Sequence, residues 1–477
     1  MLSLVPLLAC LSFSTPVASD WTAWRGSNAS GVAKGSPPTE FSEKSNVKWK
    51  SALPGRGLST PVIVGDRVFV TSAVSAPAED AEDSENRGGR GPTPVGETEF
   101  LVLCFDRGDG SVIWDAVART QVPHQGTHRD GSLAAPSIIT DGEHLFVSFG
   151  SYGIYAYDLD GELKWEKDLG DMDVRNAFGE GSSPVLVGDQ LVILWDHEGD
   201  SFLTALDKST GTERWRTARE LGTNWTTPLV VKQGSESHIV VASTPTIAYD
   251  ARTGQPVWTS GESPAAPEEA SARRDGAGPP PGGGRGARGE GRPGGGPPGG
   301  PPGRGGRGGS RGGIIATPIL SEGVLVYSTG TRRGGTLFAL RLEDIEEGSV
   351  EESGALLWTR DRDAPRIPSP IAHDGILYAL KSTSGILSAF DLGSGAPLYE
   401  ATRLKGAADV WASPVIAGDR IYILGRDGTI EVVATGPEFE TLAVNKLEDG
   451  FDASPAVAGD ELFLRGHTQL YCIAAGE

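Results

Sequence analysis

The densest group of side chains able to bind a metal or carry charge lies between residues 122 and 181. Two histidines four residues apart are followed by carboxylates, an arginine and an amide. The members are His124, His128, Asp130, Asp171, Asp173, Arg175, Asn176 and Glu180. Imidazole nitrogens and carboxylate oxygens are ligands of divalent cations, so this set is a candidate metal or ligand site. The alternative is a solvated acidic loop surface with incidental histidines.

Two tryptophans are candidates for stacking against a ligand. Trp225 and Trp411 each stand three residues before a proline, Pro228 and Pro414 respectively. An indole offers a flat apolar face together with a ring N–H donor, which suits a sugar or another planar molecule. The alternative is that both rings only pack between structural repeats.

Several classes of function are disfavoured by the sequence. The formal net charge is -21, and such a field repels nucleic acid, so we expect no nucleic-acid partner. No glycine-rich phosphate loop joins a predicted strand to a helix, and no serine is predicted to lie in a strand-to-helix G-x-S-x-G elbow. After residue 19 no apolar run reaches the roughly 18 residues of a membrane-spanning helix.

An internal repeat supplies the elements that would position these side chains. Its first phrase is a Ser/Thr/Ala-Pro pair, an apolar strand, a Gly/Asp turn and a second apolar strand, as in STPVIVGDRVFV from Ser59. The eight copies are marked by Pro61, Pro136, Pro184, Pro228, Pro318, Pro370, Pro414 and Pro455. Most successive prolines are about 40 to 50 residues apart, the period of a β-propeller blade.

The second phrase of the repeat is typified by ALDKSTGTERW, residues 205–215. It adds two more strands and a glycine turn to each unit, and it ends on an aromatic residue. Six tryptophans occupy that last position: Trp49, Trp114, Trp165, Trp215, Trp258 and Trp358. A residue repeated in this way cannot mark one active site, so we predict that these rings dock one unit against the next.

Four short strands per unit and eight units predict an all-β fold. The predicted architecture is an eight-bladed β-propeller of four-stranded antiparallel blades. The last unit lacks its tryptophan strand, and residues 46–53, which contain Trp49, supply one. We therefore expect the N-terminal strand to close the ring. Residues 46–477 are assigned to the propeller and residues 20–45 to an N-terminal extension.

Two insertions interrupt the repeat. Residues 74–98 are acidic and then glycine-rich, and residues 261–313 consist largely of Gly, Pro and Arg. Segments of this composition bury too little apolar surface to offset the entropy of ordering, so we predict both to be disordered. In an antiparallel blade, both fall on the face that carries the inter-blade connections.

The cellular location is suggested by the first 19 residues, which are apolar and end in small residues. We predict a secretory signal peptide at residues 1–19 and a secreted or periplasmic protein. The alternative is a lipid anchor through Cys10. Cys104 and Cys472 occupy strand positions where other units carry Ala, which favours two buried thiols.

The docking phrase resembles the tryptophan-docking repeat of the pyrroloquinoline-quinone (PQQ) propellers, and the resemblance covers most of residues 20–477. That superfamily includes quinoprotein alcohol dehydrogenases and the outer-membrane protein assembly lipoprotein. The first segment, DWTAWRGSNASGV, resembles secreted bacterial PQQ-like repeat proteins. For an enzyme, the resemblance would imply PQQ and Ca²⁺ in the central channel beside two adjacent cysteines. No Cys-Cys pair occurs in this sequence.

We therefore expect a secreted, monomeric propeller that acts as a non-catalytic binding or scaffold module without a cofactor. Its partner would be a small ligand or an envelope protein. One alternative is a PQQ- and Ca²⁺-dependent oxidoreductase acting on alcohols or sugars. The other is an assembly factor for envelope or outer-membrane proteins.

Overall fold

The computed structural model describes residues 20–78, 93–261, 313–331, 334–361, 364–381 and 384–476. The predicted signal peptide and Cys10 lie outside these residues, as do the central parts of both predicted insertions. In the described part of the chain, no helix is long and apolar enough to cross a membrane.

Two strands precede the repeats, and four blades follow them. The first two strands are β1 (Val32–Ala33) and β2 (Val47–Ala52). Blade 1 contains β3 (Val62–Val64), β4 (Arg67–Ser75), β5 (Thr98–Asp106) and β6 (Val112–Gln121). Blade 2 contains β7 (Ile139–Thr140), β8 (His144–Ser148), β9 (Ile154–Asp158) and β10 (Leu163–Lys167). Blade 3 contains β11 (Val185–Val187), β12 (Gln190–Trp195), β13 (Ser201–Asp207) and β14 (Glu213–Arg219). Blade 4 contains β15 (Leu229–Gln233), β16 (Glu236–Val241), β17 (Thr246–Asp250) and β18 (Pro256–Ser260).

The remaining four blades complete the ring. Blade 5 contains β19 (Ile319–Ser321), β20 (Val324–Thr331), β21 (Gly334–Arg341) and β23 (Leu356–Asp361), with β22 (Gly348–Ser349) and the short helix α1 (Val350–Ser353) inserted before its last strand. Blade 6 contains β24 (Ile371–His373), β25 (Ile376–Lys381), β26 (Ile386–Asp391) and β27 (Pro397–Arg403). Blade 7 contains β28 (Val415–Ala417), β29 (Arg420–Leu424), β30 (Thr429–Ala434) and β31 (Thr441–Lys446). Blade 8 contains β32 (Ala456–Ala458), β33 (Glu461–Arg465) and β34 (Gln469–Ile473).

The predicted eight-bladed β-propeller is confirmed, including the closure of the ring. The N-terminal strand β2 pairs antiparallel with β34 and gives blade 8 its fourth strand, with Trp49 opposite Cys472. Two sheets also gain a fifth strand. β1 pairs in parallel with the first strand of blade 7, and β22 pairs in parallel with the last strand of blade 4.

The antiparallel order gives the propeller two different faces. The loop face carries the connections between blades and the hairpins between second and third strands. The turn face carries the other two hairpins of each blade. Described residues of the first predicted insertion lie on the loop face, where Thr93 pairs with Thr127 of the connection between blades 1 and 2. β4 ends at Ser75 and β5 begins at Thr98, so the margins of this insertion belong to a hairpin.

The hydrophobic core lies between blades, and the docking tryptophans contribute to it. Five of the six donate their ring N–H to a backbone carbonyl of the next blade; Trp165, for example, donates to the oxygen of Lys208 at 2.9 Å. Each of these rings also covers a turn glycine of that blade. A Cβ on Gly211 would lie 2.7 Å from the Trp165 ring, so only glycine fits there.

Trp258 departs from this arrangement. In blade 5 the glycine turn is replaced by a longer segment that contains β22 and α1. Trp258 packs in an apolar cluster with Leu342, Ile345 and Val350, and its ring N–H has no hydrogen-bond partner among the described residues. The second repeat phrase is accordingly longer in this blade, where it extends from Ala339 to Trp358.

The two cysteines lie where the repeat predicts. Cys104 and Cys472 are buried and are not joined in a disulfide bond. They stand opposite Trp114 and Trp49, as Ala205 stands opposite Trp215 in blade 3. Burial raises the pKa of both thiols to about 12, so they behave as small apolar side chains.

Candidate functional site

A belt of Ser and Thr hydroxyls surrounds the channel where the inner strands begin. Each accepts the backbone N–H of the equivalent residue in the preceding blade, at distances of 2.8–3.1 Å. The accepting residues are Ser137, Ser183, Thr227, Thr317, Ser369, Ser413 and Ser454. The belt therefore links the inner strands across seven of the eight boundaries between blades.

The boundary between blades 8 and 1 is built differently. Here the buried guanidinium of Arg465 donates to the Ser59 hydroxyl at 2.6 Å. The hydroxyl of Thr60, which holds the belt position in blade 1, is buried and has no hydrogen-bond partner in the described part of the chain. An arginine thus replaces the eighth link at the boundary where the ring closes.

Above the belt lies a central cavity of about 440 Å³. All eight inter-blade connections contribute to its wall, through residues such as Leu58, Asp130, Arg175, Trp225, Ile314, Arg366, Trp411 and Asp452. Six of the belt residues and Trp24 of the N-terminal segment also line it. A concave, largely apolar chamber of this size with a few polar groups is typical of a small-molecule site.

Both tryptophans proposed as stacking residues line this cavity. Trp225 is held by a hydrogen bond from its ring N–H to the Gly179 oxygen at 2.8 Å, and it lies perpendicular to Phe178. The Arg426 guanidinium lies 4.1 Å from the centre of the Trp411 ring. The buried N–H of Trp411 has no hydrogen-bond partner among the described residues. The cavity thus has two partly buried indole walls, as well as packing functions for both rings.

Arg426 organises the acidic side of the cavity. Its guanidinium donates to Asp452 at 2.6 Å and to Asp130 at 2.9 Å, which joins two connections that flank the closure of the ring. Burial alone would raise the pKa of Asp452, but hydrogen bonds from His467 and Arg426 hold it below its ordinary value. Both cavity carboxylates are therefore neutralised by a fixed cation.

Two further arginines, Arg175 and Arg366, line the wall in other connections. Arg175 forms an ion pair with Glu198 at 2.9 Å. Arg366 is exposed and forms no hydrogen bond or ion pair with another residue that the structure describes. Arg366 is therefore the cation best placed to meet an acidic group on a bound molecule.

The predicted polar cluster divides into separate contacts. The ring nitrogens of His124 contact the Met172 oxygen at 2.9 Å and Asp171 at 3.9 Å. His128 packs against Phe178, with ring centres 4.2 Å apart and the planes tilted by 41°, and accepts the N–H of Asp130 through Nδ1. Asp173 accepts a hydrogen bond from Gln125 at 2.7 Å. In the described chain, no group of three or more His, Cys, Asp and Glu side chains is arranged to hold a metal ion.

The remaining two members shape the connection between blades 2 and 3. Asn176 adopts a left-handed backbone conformation with φ 54°, which asparagine tolerates better than most residues. Glu180 is partly buried and accepts hydrogen bonds from the N–H and hydroxyl of Ser151 at 2.6 and 2.5 Å. Burial raises the pKa of Glu180 to about 7. Of the eight predicted residues, only Asp130 and Arg175 line the central cavity.

The donor set expected for PQQ and Ca²⁺ does not fit these residues. The only cysteines in the described chain are buried in blades 1 and 8 and do not line the cavity. The two cavity carboxylates are held by Arg426 rather than arranged with a third ligand. We therefore derive no chemical step through this cofactor.

Several cavity residues could not be predicted from the sequence. Part of the belt had a visible signal, because six of its seven residues directly precede a repeat proline, although Ser137 follows Pro136 and the hydrogen bonds could not be read from the pattern. Arg366 and Arg426 lie in loops without a repeated pattern. Trp24 belongs to a segment with no counterpart elsewhere in the chain.

A family model described as "Outer membrane protein assembly factor BamB" matches residues 98–280 and 307–476. The chain belongs to this family. Its members and the quinoprotein alcohol dehydrogenases share the PQQ-like propeller. No curated protein matches the chain.

Solved structures support the fold of this family member at low sequence identity. BamB from Moraxella catarrhalis is 14% identical with a TM-score of 0.54, and the alignment covers 88% of this chain and 95% of BamB. The quinohemoprotein alcohol dehydrogenase ADHIIG from Pseudomonas putida HK5 is 12% identical with a TM-score of 0.58, covering 96% and 81%. A europium-containing methanol dehydrogenase is 11% identical with a TM-score of 0.59, covering 96% and 98%. Identities this low establish a shared architecture and leave the activity open.

Proposed function

We propose that this protein is a secreted or periplasmic binding propeller that holds a small molecule in its central cavity without transforming it. The ligand class is a planar or sugar-like ring that carries an acidic group. The observation that carries the proposal is the cavity of about 440 Å³ to which every inter-blade connection contributes.

The chemistry of the wall supports this class of ligand. Trp225 and Trp411 offer indole faces, and Arg366 offers a charged guanidinium at the same cavity. Aromatic side chains supply large contact areas at a low cost in conformational entropy. A guanidinium can bind a carboxylate or a phosphate through two parallel hydrogen bonds.

A non-catalytic role is supported by the state of the cavity carboxylates. Asp130 and Asp452 both accept hydrogen bonds from Arg426. A general base must be able to reach and accept a proton from the substrate. Carboxylates held by a permanent cation are poorly suited to that role, whereas they are well suited to keeping the wall rigid.

The test is a fluorescence titration with 8-anilinonaphthalene-1-sulfonate, an aromatic anion, at low ionic strength. We expect one saturable site in the wild-type protein. Arg366→Gln and Trp411→Ala should each weaken binding about tenfold, since about 1.4 kcal/mol corresponds to one factor of ten. Arg216→Gln, on the outer strand of blade 3, is the matched control and should bind like the wild type. Unchanged affinity in both cavity variants would overturn the proposal.

The oxidoreductase alternative has its own measurement. The purified protein would be mixed with PQQ and Ca²⁺, and absorbance and dye reduction followed with alcohols and aldose sugars. We expect neither stoichiometric binding nor turnover. Tight binding of PQQ together with turnover would replace the binding proposal.

A second candidate function is assembly of envelope proteins, which rests on the description of the matching family and on one surface. The outer strand of blade 1 exposes Val112, Ile113 and Val117, at 54%, 44% and 52% of their surface. A free strand edge with apolar side chains can pair with an extended partner strand. Co-purification of the protein with outer-membrane barrel proteins would support this function, and isolation of a clean monomer from cell envelopes would count against it.

A further inference from the structure

The N-terminal segment, residues 20–36, runs into the central channel from the turn face. Trp21 pairs with Ile63 of the innermost strand of blade 1 through two backbone hydrogen bonds of 3.0 and 2.9 Å. The carboxylate of Asp20 accepts the N–H of Gly65 in the first turn of the same blade. The oxygen of Thr22 accepts the N–H of Thr140 in blade 2. The segment therefore follows the inner strands into the channel.

Arg25 anchors the segment on the other side of the ring. Its guanidinium is buried and donates to the Pro370 and Pro414 oxygens, both at 3.0 Å. These prolines begin the inner strands of blades 6 and 7. Burial lowers the pKa of Arg25 to about 9, a cost that the structure meets with three backbone acceptors, the third being Ser30.

The same segment reaches the remaining blades before it leaves the channel. Ala23 packs against the apolar cluster between blades 2 and 3, and Ala29 packs against the cluster between blades 4 and 5. β1 pairs with blade 7, and the N–H of Ser36 donates to Asp460 of blade 8 at 2.7 Å. One short segment thus contacts the whole ring, which closes the channel at the turn face.

Trp24 lies at the tip of this closed segment, next to the anchored Arg25, and it lines the central cavity. It is partly buried, so part of its indole surface faces the chamber. We propose that Trp24 is the floor of the binding cavity and determines how long a ligand it accepts. This inference rests on the proposed function, and it assigns a binding residue to the N-terminal segment rather than to a blade.

Two consequences distinguish a floor from a merely structural residue. An aromatic floor adds a stacking contact, so its removal weakens binding of any planar ligand. It also limits depth, so its removal favours a long ligand relative to a short one. A structural defect would weaken both ligands to the same extent.

The experiment compares two probes, 2-naphthalenesulfonate and the longer 6-anilinonaphthalene-2-sulfonate, on the full-length protein. For Trp24→Ala we expect the short probe to bind about tenfold more weakly and the long probe to lose about threefold or less. Trp24→Phe should bind both probes like the wild type, because it retains an aromatic floor. Trp24→Leu keeps an apolar side chain that is shorter than tryptophan, so it should also weaken the short probe more than the long probe.

Hydrogen exchange at the Ile416 amide reports independently whether the N-terminal segment stays bound in the channel. This amide donates to the Gly31 oxygen at 3.0 Å and is protected only while the segment is in place. If Trp24→Ala exposes this amide, Trp24→Leu becomes the deciding variant. If all Trp24 variants bind both probes like the wild type while Arg366→Gln weakens binding, the floor assignment is wrong and the proposed function stands. If Arg366→Gln and Trp411→Ala also bind both probes like the wild type, the proposed function itself is wrong, and the floor assignment that rests on it is wrong as well.

Discussion

On the turn face, blade after blade makes the same contact, in which a tryptophan ring covers a glycine of the next blade and donates to one of its carbonyls. On the loop face, the eight connections differ in length and composition, and together they line one cavity. The comparison separates residues that hold the ring from residues that give it a function. Residues that recur from blade to blade hold the ring together, whereas the residues proposed to bind a ligand lie where the repeats differ.

The largest effect is expected from breaking one repeated contact on the turn face. Gly211 has φ +69°, and an added Cβ would lie 2.7 Å from the Trp165 ring. Gly211→Ala should lower the free energy of unfolding by about 3 kcal/mol, through overlap with the ring and backbone strain together. Urea denaturation measures this change.

Gly188 is the matched control for that substitution. It lies in the first turn of the same blade with φ +60°, and a Cβ there would meet nothing within 4 Å. Gly188→Ala therefore isolates the backbone cost, about 1 kcal/mol. Equal losses in the two variants would show that the tryptophan contact contributes nothing measurable. Neither variant should alter binding of the aromatic probe in the cavity.

An intermediate effect with a pH signature is expected on the loop face at Glu180. Burial raises the pKa of Glu180 in the folded protein from 4.5 to about 7. Between these values the folded protein holds a proton that the unfolded chain has released, so this group's contribution to stability falls as the pH rises from 4.5 to 7. Glu180→Gln should therefore gain stability relative to the wild type, by about 1 to 2 kcal/mol at pH 8 and almost nothing at pH 4.

The measurement is the unfolding free energy of the wild type and of Glu180→Gln across that pH range. Glu99→Gln, at an exposed carboxylate of blade 1, is the control and should show no such trend. A difference that stays constant with pH would mean that burial does not perturb Glu180, and that the Ser151 contacts hold the connection in the same way at every pH.

The smallest effect is expected from a comparison of Trp165 with Trp258, the docking tryptophan that departs from the repeated contact. Trp165 has a carbonyl partner for its N–H, whereas Trp258 has none among the described residues. Substitution by Phe removes the N–H from both, but only Trp165 loses a hydrogen bond, worth about 1 kcal/mol. Trp165→Phe should thus cost about 1 kcal/mol more than Trp258→Phe in urea denaturation. The reverse order would indicate an undetected partner for Trp258.

Much of the ring could be predicted from the sequence because the same physical requirement recurs. Each inner strand follows a repeat proline, and five of the six docking rings cover a turn glycine, so the blade count and the role of Trp49 follow from the pattern. The cavity could be predicted only in part. Trp225, Trp411, Asp130 and Arg175 line it, but the two histidines and the other carboxylates have local partners that spacing does not reveal.

The part that could not be predicted depends on contacts between distant segments. Arg25 meets Pro370 and Pro414, and Arg426 meets Asp130, across hundreds of residues of chain. Neither arginine belongs to a repeated phrase, so no comparison between units identifies its partner. The hydroxyl belt is an intermediate case. Most of its residues could be recognised from the repeat, but its hydrogen bonds could not, because they join different blades.

The pairing of β2 with β34 has a consequence for the order in which the protein acquires its structure. β2 cannot pair until β34, more than 400 residues later in the chain, has been made, and β1 likewise waits for the first strand of blade 7. Contacts between the two ends of a long chain carry a high entropic cost and form slowly. The last blade therefore completes assembly: a chain that stops before β34 leaves β2 without its partner and the ring open.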